Sequence, residues 1–420
     1  MPVPGLSSTP ADPAGHAGYR RDLVLLIGGN AVSAAGNAVY LVAVTLLLKA
    51  LTESALMLGL FQFLALLPIF LIAPLTGALV DRMSRWRVLI LADVYRGVVM
   101  ILAGVLLMVP GFRQEWLVLT AAFLAGIGHA LFVPAVQAIL PSIVPAARLH
   151  RATGLRAASS QIGNLGGNVA GGVLFVVLGA PVLVILNGVS FLLSAVQELF
   201  IRGGRGRVAD ARPESLIAMA RNGFAAVLRD RRLATLLCSQ AGLFLVSPVL
   251  VIALPFLLID ELGFGEAAVG VYFAFALIGG ILSFTALQAR QAHAMLERPL
   301  VPLAYLSLAV GFLAVAAVPH PVVLAMAAIV SGAAAAMVYL FVTTWIQVRV
   351  APALHGRVFA VMEAANAAVA PAGYLVAGAL LEVLGADRRW VLFVLVAGAA
   401  LLWSGYLVRD RRRSVRSGHG

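Results

Sequence analysis

Four ionisable side chains lie inside long apolar stretches, where a charge without a partner is costly. Asp93 and Arg96 are one helical turn apart, roughly 9 and 13 Å beyond Arg87 at 1.5 Å per residue, so they can pair with each other. Glu363 lies at a similar distance from the start of another apolar stretch, and His129 lies near the middle of a third apolar stretch. Such groups carry protons or tie helices together. Histidine suits the first role because it titrates at about pH 6.5.

The elements that position these groups are apolar runs. Apolar residues form 62% of the 420 residues and charged residues 11%, against about 25% charged in soluble proteins. Each of twelve runs can cross a hydrocarbon core of about 30 Å. The runs lie at roughly 23–48, 54–80, 88–109, 116–140, 154–179, 181–201, 233–259, 267–289, 299–319, 321–348, 358–384 and 390–408. We therefore expect an all-α membrane protein with twelve transmembrane helices.

A long polar stretch divides six runs from six. The two halves are weakly similar, because PAARLHRATG (145–154) and PALHGRVFA (352–360) occupy equivalent places. We expect two pseudo-symmetric six-helix bundles that rock about a central site. The predicted division is a flexible cytoplasmic tail, an amino-terminal bundle, a basic cytoplasmic linker with an amphipathic helix, a carboxy-terminal bundle and a basic cytoplasmic tail, at 1–21, 22–201, 202–232, 233–408 and 409–420.

The net charge of +12 follows the membrane topology. Twenty-five of the 30 lysines and arginines lie in every second connecting segment or at the termini. This is the positive-inside pattern, and it places both termini in the cytoplasm. The basicity therefore indicates no nucleic-acid surface. Residues 1–20 lack a signal peptide's basic start and apolar core, so we expect a tail there.

Several kinds of chemistry are not indicated. Cys238 is the only cysteine, and no Cys/His spacing is typical of a metal site. The acids are too scattered for an active site, and the chain has no nucleotide-binding loop of the type G-x-x-x-x-G-K-S/T. We expect no enzyme activity, no catalytic residues, no metal and no cofactor.

The segment GALVDRMSR, 77–85, connects the second and third apolar runs. It resembles the loop G-x-L-x-D-R-x-G/S-R of the major facilitator superfamily, in which it acts as a latch between the two bundles. The resemblance assigns Gly77, Asp81, Arg82 and Arg85 to a cytoplasmic gate, with Glu363 as a partner across the seam. A basic loop that only fixes topology is the alternative.

The fifth run carries the pattern G-x8-G-x3-G-x3-G-G, which resembles a motif of the superfamily's antiporters and drug exporters. Small residues at i, i+4 and i+8 make a groove for a neighbouring helix, so close packing alone is the alternative interpretation. Asn168 replaces the usual proline, so the kink is not expected. The glycines are Gly154, Gly163, Gly167, Gly171 and Gly172.

The stretches ALFVPAVQAILP (130–141) and GRVFAV (356–361) are similar to bacterial exporters of siderophores and macrolides, the transmembrane secretion effectors. That subgroup tends to have Asp near Asn37, so proton transfer through helix 1 is not expected. The resemblance implies that helices 1, 4, 7 and 10 line a cavity. Its candidate residues, which suit a largely apolar ligand, are Asn30, Asn37, Tyr40, Phe132, Gln240, Phe244, Tyr339, Thr343 and Trp345, with His129 also on helix 4.

These observations predict a secondary transporter that exports a small, largely apolar molecule such as a drug, antibiotic or siderophore-like product. Protons are the expected coupling ion, with His129, Asp93, Arg96 and Glu363 as the candidate groups. We expect a monomer in the lipid bilayer of the plasma membrane. A proton-coupled importer is the nearest alternative, and a sensor or assembly partner that transports nothing is an alternative of another class.

Overall fold

The computed structural model describes residues 13–82, 84–145, 148–203, 225, 227–288, 296, 298–351 and 354–416. Side chains are described in these ranges except at 13–18, 73–82, 150, 288, 356 and 411–416. Most of the predicted amphipathic linker, residues 204–224, lies outside the described residues.

The described chain is built from helices that alternate in direction. Residues 149–178 form α5 and residues 180–199 form α6, within the continuous stretch Leu149–Leu199. The other helices are α1 Pro13–Thr52, α2 Ala55–Arg82, α3 Arg85–Met108, α4 Glu115–Ile143, α7 Arg231–Phe256, α8 Ala267–Gln288, α9 Leu300–Ala317, α10 Pro321–Arg349, α11 His355–Leu384 and α12 Arg389–Arg416. A π-helical turn, Leu257–Glu261, extends α7, and a 3₁₀ turn, Ala386–Arg388, precedes α12.

Gly179 separates α5 from α6. Its φ of 74° and ψ of 162° are unfavourable for other residues, and Pro181 cannot donate a helical hydrogen bond. As a result, α5 runs parallel to α1 and α6 runs antiparallel to it. Gly163 and Gly167 of α5 pack on Ala31 and Ala35 in ascending order, whereas in α6 the order of contacts is reversed. Eleven helical stretches of the described residues can span a membrane, and this one supplies two spans.

Local sequence determines where several helices begin. Ser84 caps α3 by accepting a hydrogen bond from the backbone N–H of Arg87 at 3.4 Å. Asp230 caps α7 by accepting the N–H groups of Arg232 and Leu233 at 2.9 and 3.0 Å. Asp and Ser are favoured caps because their side chains satisfy N–H groups that the first turn leaves free.

The two bundles repeat one packing pattern. In the amino-terminal bundle α1 packs on α5, α2 on α4, and α3 on both α4 and α6. In the carboxy-terminal bundle α7 packs on α11, α8 on α10, and α9 on both α10 and α12. Between the bundles α2 meets α11 and α5 meets α8, a pair of contacts that the same two-fold relation exchanges. The predicted all-α fold of two pseudo-symmetric six-helix bundles is confirmed.

Helix ends differ from the predicted boundaries at three places. The first helix begins at Pro13, within the expected tail, and the last continues to Arg416. The second runs through Arg82, so only residues 83 and 84 separate it from α3. The prediction of a loop from Gly77 onward is therefore wrong, because backbone hydrogen bonds carry a helix beyond its apolar segment. We call the end of the molecule where α1 begins the proximal end and the end where α1 finishes the distal end.

Candidate functional site

Polar contacts join the two bundles at the distal end. In the last turn of α1, Lys49 Nζ lies 2.6 Å from Oδ1 of Asp260, in the turn that follows α7. The carboxylate of Glu382 in α11 accepts the backbone N–H groups of Ala55 and Leu56 at 2.8 and 3.3 Å. Those N–H groups open α2 and have no acceptor within their own helix, and the helix dipole favours a carboxylate there.

Backbone contacts close the same end between the paired helices. A Cβ atom on Gly59 of α2 would lie 2.5 Å from the carbonyl oxygen of Tyr374 in α11. A Cβ atom on Gly172 of α5 would lie 2.5 Å from the carbonyl oxygen of Ala267 in α8. We call these glycine contacts and the Lys49 and Glu382 contacts the distal seal.

A phenylalanine lies between two cations beside the seal. The Phe256 ring centroid is 5.2 Å from Lys49 Nζ and 4.9 Å from the Arg389 guanidinium carbon. Arg389 Nη1 donates to Oε1 of Glu261 at 3.1 Å. Cations near an aromatic face are attracted to it, so the ring helps to hold both ion pairs in place.

A cavity of about 540 Å³ lies between the bundles on the proximal side of the seal. The order of residues along the helices gives this location. On α5, Asn164 in the wall precedes Gly172 in the seal, and on α2, which runs the other way, Gln62 follows Gly59. The lining residues are Asn37, Ala38, Leu41, Gln62, Gln161, Asn164, Asn168, Val251, Phe273, Ala276, Leu277, Gly280, Gly332, Ala336 and Tyr374.

The two walls of this cavity differ in chemistry. The amino-terminal bundle contributes five side-chain amides, three of them from α5. The carboxy-terminal bundle contributes apolar groups and the single hydroxyl of Tyr374. Among the residues that the structure describes, no carboxylate, lysine, arginine or histidine lines the cavity. This arrangement suits a neutral ligand with hydrogen-bonding groups along one side and an apolar surface along the other.

A second group of polar side chains is buried inside the amino-terminal bundle, where α3 meets α6. Asp93 is 0% exposed, and Arg96 and Glu198 are each 2% exposed. An Arg96 guanidinium N–H donates to Oδ1 of Asp93. Gly97 of α3 packs on Gly188 and Leu192 of the antiparallel α6, so Asp93, one turn earlier on α3, lies beside Ser194 and Glu198. We call Asp93, Arg96 and Glu198 the buried charge cluster.

Two rings hold the guanidinium of this cluster. The Arg96 guanidinium carbon lies 4.2 Å from the ring centroids of both Phe132 of α4 and Phe191 of α6. His129 of α4 is within electrostatic range of the same guanidinium. Stacking on two aromatic faces fixes the orientation of arginine, so its position relative to Asp93 is strongly constrained.

Comparison with known proteins identifies the chain. Residues 17–416 match the family described as transmembrane secretion effector. The chain belongs to the transmembrane secretion effector family. It is therefore a multi-pass membrane transporter of the major facilitator superfamily and not an enzyme, as the sequence predicts.

Two relatives of this chain are named as efflux proteins. Macrolide efflux protein A of Streptococcus pyogenes is 26% identical over 227 residues, which cover 53% of this chain and 55% of that protein. The chain thus spans about half the length of that relative. Multidrug efflux pump Tap of Mycobacterium tuberculosis is 27% identical over 387 residues, covering 88% of this chain and 90% of the pump.

Solved structures share the effector's fold. The nucleoside transporter NupG has a TM-score of 0.73 at 12% identity, covering 92% of this chain and 98% of its own. A bacterial homologue of the iron transporter ferroportin, in its inward-facing state, has a TM-score of 0.69 at 17% identity, covering 93% and 98%. These likenesses concern the fold alone.

Two predicted cavity residues of the effector have defined hydrogen-bond partners. Asn37 lines the cavity and accepts a hydrogen bond from Asn187 of α6 at 3.4 Å. Asn30 instead joins α1 to α5, because its amide donates to the Ser160 hydroxyl and, at 3.5 Å, to the backbone carbonyl of Arg156.

The other predicted cavity residues do not line this cavity. Tyr40 packs edge-on against Phe61 at 6.1 Å between centroids, and Phe132 covers Arg96. Gln240 and Trp345 are buried among the helices of the carboxy-terminal bundle, at 3% and 6% exposed. These four residues lie outside the lining of this cavity, because the helix number does not specify which face of the helix points inward, and their role in binding cargo stays a prediction.

The remaining three candidates belong to α7 and α10. The Phe244 carbonyl meets Gly373, which lets α11 approach α7 closely. The Thr343 hydroxyl donates to the Tyr339 carbonyl at 2.9 Å, within α10. The Tyr339 side chain is 45% exposed. These three residues also lie outside the lining of the described cavity.

The predicted latch is only partly visible. The side chains of Gly77, Asp81 and Arg82 lie outside the described residues, although their backbone is helical. Arg85 Nη1 donates to the Ala138 carbonyl of α4 at 3.0 Å, inside its own bundle. Glu363 is exposed on α11. The structure therefore does not bring Arg85 and Glu363 together in this conformation.

The glycines of α5 face two different neighbours. Gly163, Gly167 and Gly171 pack on α1, and Gly172 packs on α8. A Cβ atom on Gly154 would meet no neighbouring heavy atom within 4 Å. Asn168, which replaces the usual proline of the motif, lines the cavity. The motif thus supports close approach of α5 both within its bundle and across the seam.

Sequence inspection does not single out four side chains of these sites: Gln62, Gln161, Asn164 and Glu198. On α5 the spacing of Gln161, Asn164 and Asn168 is i, i+3 and i+7, which marks one helical face. Glu198 stands in the last turn of an apolar run, where an acid is ordinarily assumed to reach the membrane surface. Its burial follows from the packing of α3 against α6.

Proposed function

We propose that the effector exports a small, largely apolar organic molecule by alternating access, driven by protons that move in the opposite direction. The observation that carries this proposal is the cavity between the bundles, which has an amide wall, an apolar wall and the distal seal at one end. The names of the macrolide and multidrug efflux relatives support export.

The positive-inside pattern supports a location of the proximal end and both termini in the cytoplasm of a bacterial cell. The distal seal then faces outward, and the cavity lies on its cytoplasmic side. In this conformation cargo enters from the cytoplasm or the inner leaflet. The effector acts as a monomer in the plasma membrane, because one chain contains both walls of the cavity.

Export requires a second conformation in which the seal opens and the proximal end closes. Breaking the Lys49–Asp260 pair and the Glu382 cap releases the distal ends of α1, α2 and α11. Asp81, Arg82 and Arg85 then meet the proximal part of α11 near Glu363 and latch the cytoplasmic side. Gly77 permits close packing there.

Protons are the proposed coupling ion, with Asp93, Arg96, His129 and Glu363 as candidate groups. The first two are buried in α3, and His129 lies near them on α4. Glu363 is exposed on α11, in the other bundle. Buried ionisable groups of membrane helices are functional candidates by default, which favours the α3 pair and its neighbour.

The direct test is accumulation of erythromycin, a macrolide, in cells with and without the effector. Export lowers accumulation, and collapse of the proton gradient with an uncoupler abolishes the difference. A double variant, Gln161→Leu with Asn164→Leu, should weaken export because it removes two amides from the cavity wall. A panel of apolar cations and neutral antibiotics extends the test to other cargo.

The outcomes separate the alternatives. Higher accumulation in cells with the effector would indicate an importer. Unchanged accumulation across the whole panel would contradict transport of this ligand class and favour a non-transporting role. Export that persists at full rate after collapse of the gradient would contradict proton antiport while leaving export intact.

A further inference from the structure

The buried charge cluster contains two carboxyl groups and one guanidinium. Oδ1 of Asp93 accepts from Arg96, and Oε1 of Glu198 accepts from the Ser194 hydroxyl at 3.4 Å. Oδ2 of Asp93 and Oε2 of Glu198 are buried and have no N–H or O–H donor among the described groups. Because the two carboxyls are neighbours across the contact of α3 with α6, a proton held between them would satisfy both free oxygens.

Charge balance leads to the same arrangement. The guanidinium of Arg96 neutralises one carboxylate, and a second carboxylate would leave a net negative charge in an apolar interior, which is costly. His129 faces Arg96 from α4, and a cation there would oppose the guanidinium. Ser194 and Gln197 of α6 pack on Gly29 of α1, which has no side chain to offer. A shared proton is the remaining way to neutralise the cluster.

The cluster lies on the face of α6 that also reaches the cavity wall. The buried residues Asn187, Ser190, Ser194 and Glu198 recur at helical spacing and are at most 6% exposed. At the distal end of this row, Asn187 donates to Asn37, which lines the cavity. A ligand that displaces Asn37 therefore acts on the helix that carries Glu198.

We propose that Asp93 and Glu198 share one proton beside Arg96, and that this carboxyl pair takes up and releases the coupling proton. The proton-loaded pair with Arg96 is neutral, and the empty pair carries one negative charge that binds Arg96 more strongly. Loss of the proton thus changes the contact between α3 and α6, and α6 passes the change to Asn37. This role rests on the proposed proton antiport.

Infrared spectroscopy of the purified full-length protein in nanodiscs tests the pair without any cargo. A protonated carboxyl gives a C=O stretch above the amide band, and deuterium exchange identifies it. The wild type should show this band, whereas Glu198→Gln and Asp93→Asn should each lose it. Glu266→Gln, which changes an exposed glutamate in the connection before α8, should leave the band in place.

Ser194→Ala keeps both acids and removes one donor to Glu198. It should shift the band without abolishing it, which a purely structural role of the acids would not produce. A wild-type spectrum without the band, or a band that both acid variants retain, would overturn the proposal. If an acid variant fails to fold, the wild type is measured at increasing pH. Loss of its band would support a carboxyl pair that releases a proton, and a band that persists at every pH would contradict it.

Transport by proteoliposomes then tests coupling, with erythromycin as the probe. Glu198→Gln should retain exchange of erythromycin across the membrane but lose accumulation driven by a pH gradient. Full gradient-driven accumulation by this variant would contradict the coupling role. The infrared result stands whether or not erythromycin is cargo, so failure of the shared proton and failure of the export proposal are distinguishable.

Discussion

The amino-terminal bundle buries five charged side chains among the described residues, whereas the carboxy-terminal bundle buries none. Asp93, Arg96 and Glu198 form the internal cluster, Lys49 belongs to the seal, and Asp22 accepts backbone N–H groups at the end of α6. The cavity repeats this difference, with amides on one wall and apolar groups on the other. Two bundles with the same helix packing therefore differ in charge, because only the amino-terminal bundle encloses charged side chains in its described interior.

The largest effect should come from breaking the buried cluster. Arg96→Met leaves two buried carboxyls without a cation, and loss of one partner of a buried pair costs about 3–5 kcal/mol. We expect a much lower thermal unfolding temperature in detergent. Arg349→Met, which changes an exposed arginine at the end of α10, is the matched control. Equal melting temperatures for the two variants would contradict the assigned importance of the cluster.

Glycine substitutions should show that the bundles are alike in packing although they differ in charge. A Cβ atom at Gly167 would collide with the Ala35 carbonyl, and one at Gly332 would collide with the Ala276 carbonyl. Gly167→Ala and Gly332→Ala should each destabilise by about 1–3 kcal/mol. A Cβ atom on Gly166 would meet no neighbouring heavy atom within 4 Å, so Gly166→Ala should leave the melting temperature unchanged or raise it.

Equal tolerance of alanine at Gly166 and Gly167 would show that α1 and α5 have room to separate. Destabilisation by Gly167→Ala alone would show that close packing, like charge, is concentrated in the amino-terminal bundle.

The two cavity walls should respond differently to conservative changes. Asn164→Leu removes a hydrogen-bonding group at similar size, at a cost of about 0.5–1.5 kcal/mol, so the KM for erythromycin efflux should rise by up to about ten-fold. Leu277→Met on the opposite wall conserves volume and polarity, and the KM should change little. A larger effect at Leu277 would indicate that cargo is held mainly by the carboxy-terminal bundle.

Much of the fold is predictable because a bilayer imposes its thickness on the sequence. Twelve apolar runs correspond to twelve spans, and the break near 202 separates the bundles. The helix ends are less predictable, since hydropathy measures the apolar segment and not the helix. Arg82 and Arg416 remain helical because hydrogen bonding continues into the polar interface.

The candidate site is less predictable, because it depends on helix rotation. On α5 the glycine pattern reveals the face toward α1, yet the cavity uses the adjacent face of Gln161 and Asn164. Asn37 lines the cavity, but Asn30, on the same helix, donates a hydrogen bond to Ser160 of α5. Glu198 becomes a neighbour of Asp93 only through the contact of α3 with α6, which no local pattern contains.

The smallest effect is expected from substitutions in the distal seal, to which both bundles contribute charged side chains. The Asp260 side chain is 42% exposed, so its pair with Lys49 is partly screened. Lys49→Met should shift the equilibrium toward the outward-open conformation by about 1 kcal/mol or less, at most about five-fold. With Cys238→Ala as background, labelling of Ala276→Cys from outside by an impermeant maleimide measures this shift.

The exchange variant Lys49→Asp with Asp260→Lys should restore slow labelling. Fast labelling by that variant would contradict closure by this ion pair, and slow labelling of Lys49→Met itself would mean that the Glu382 cap and the glycine contacts close the distal end without it.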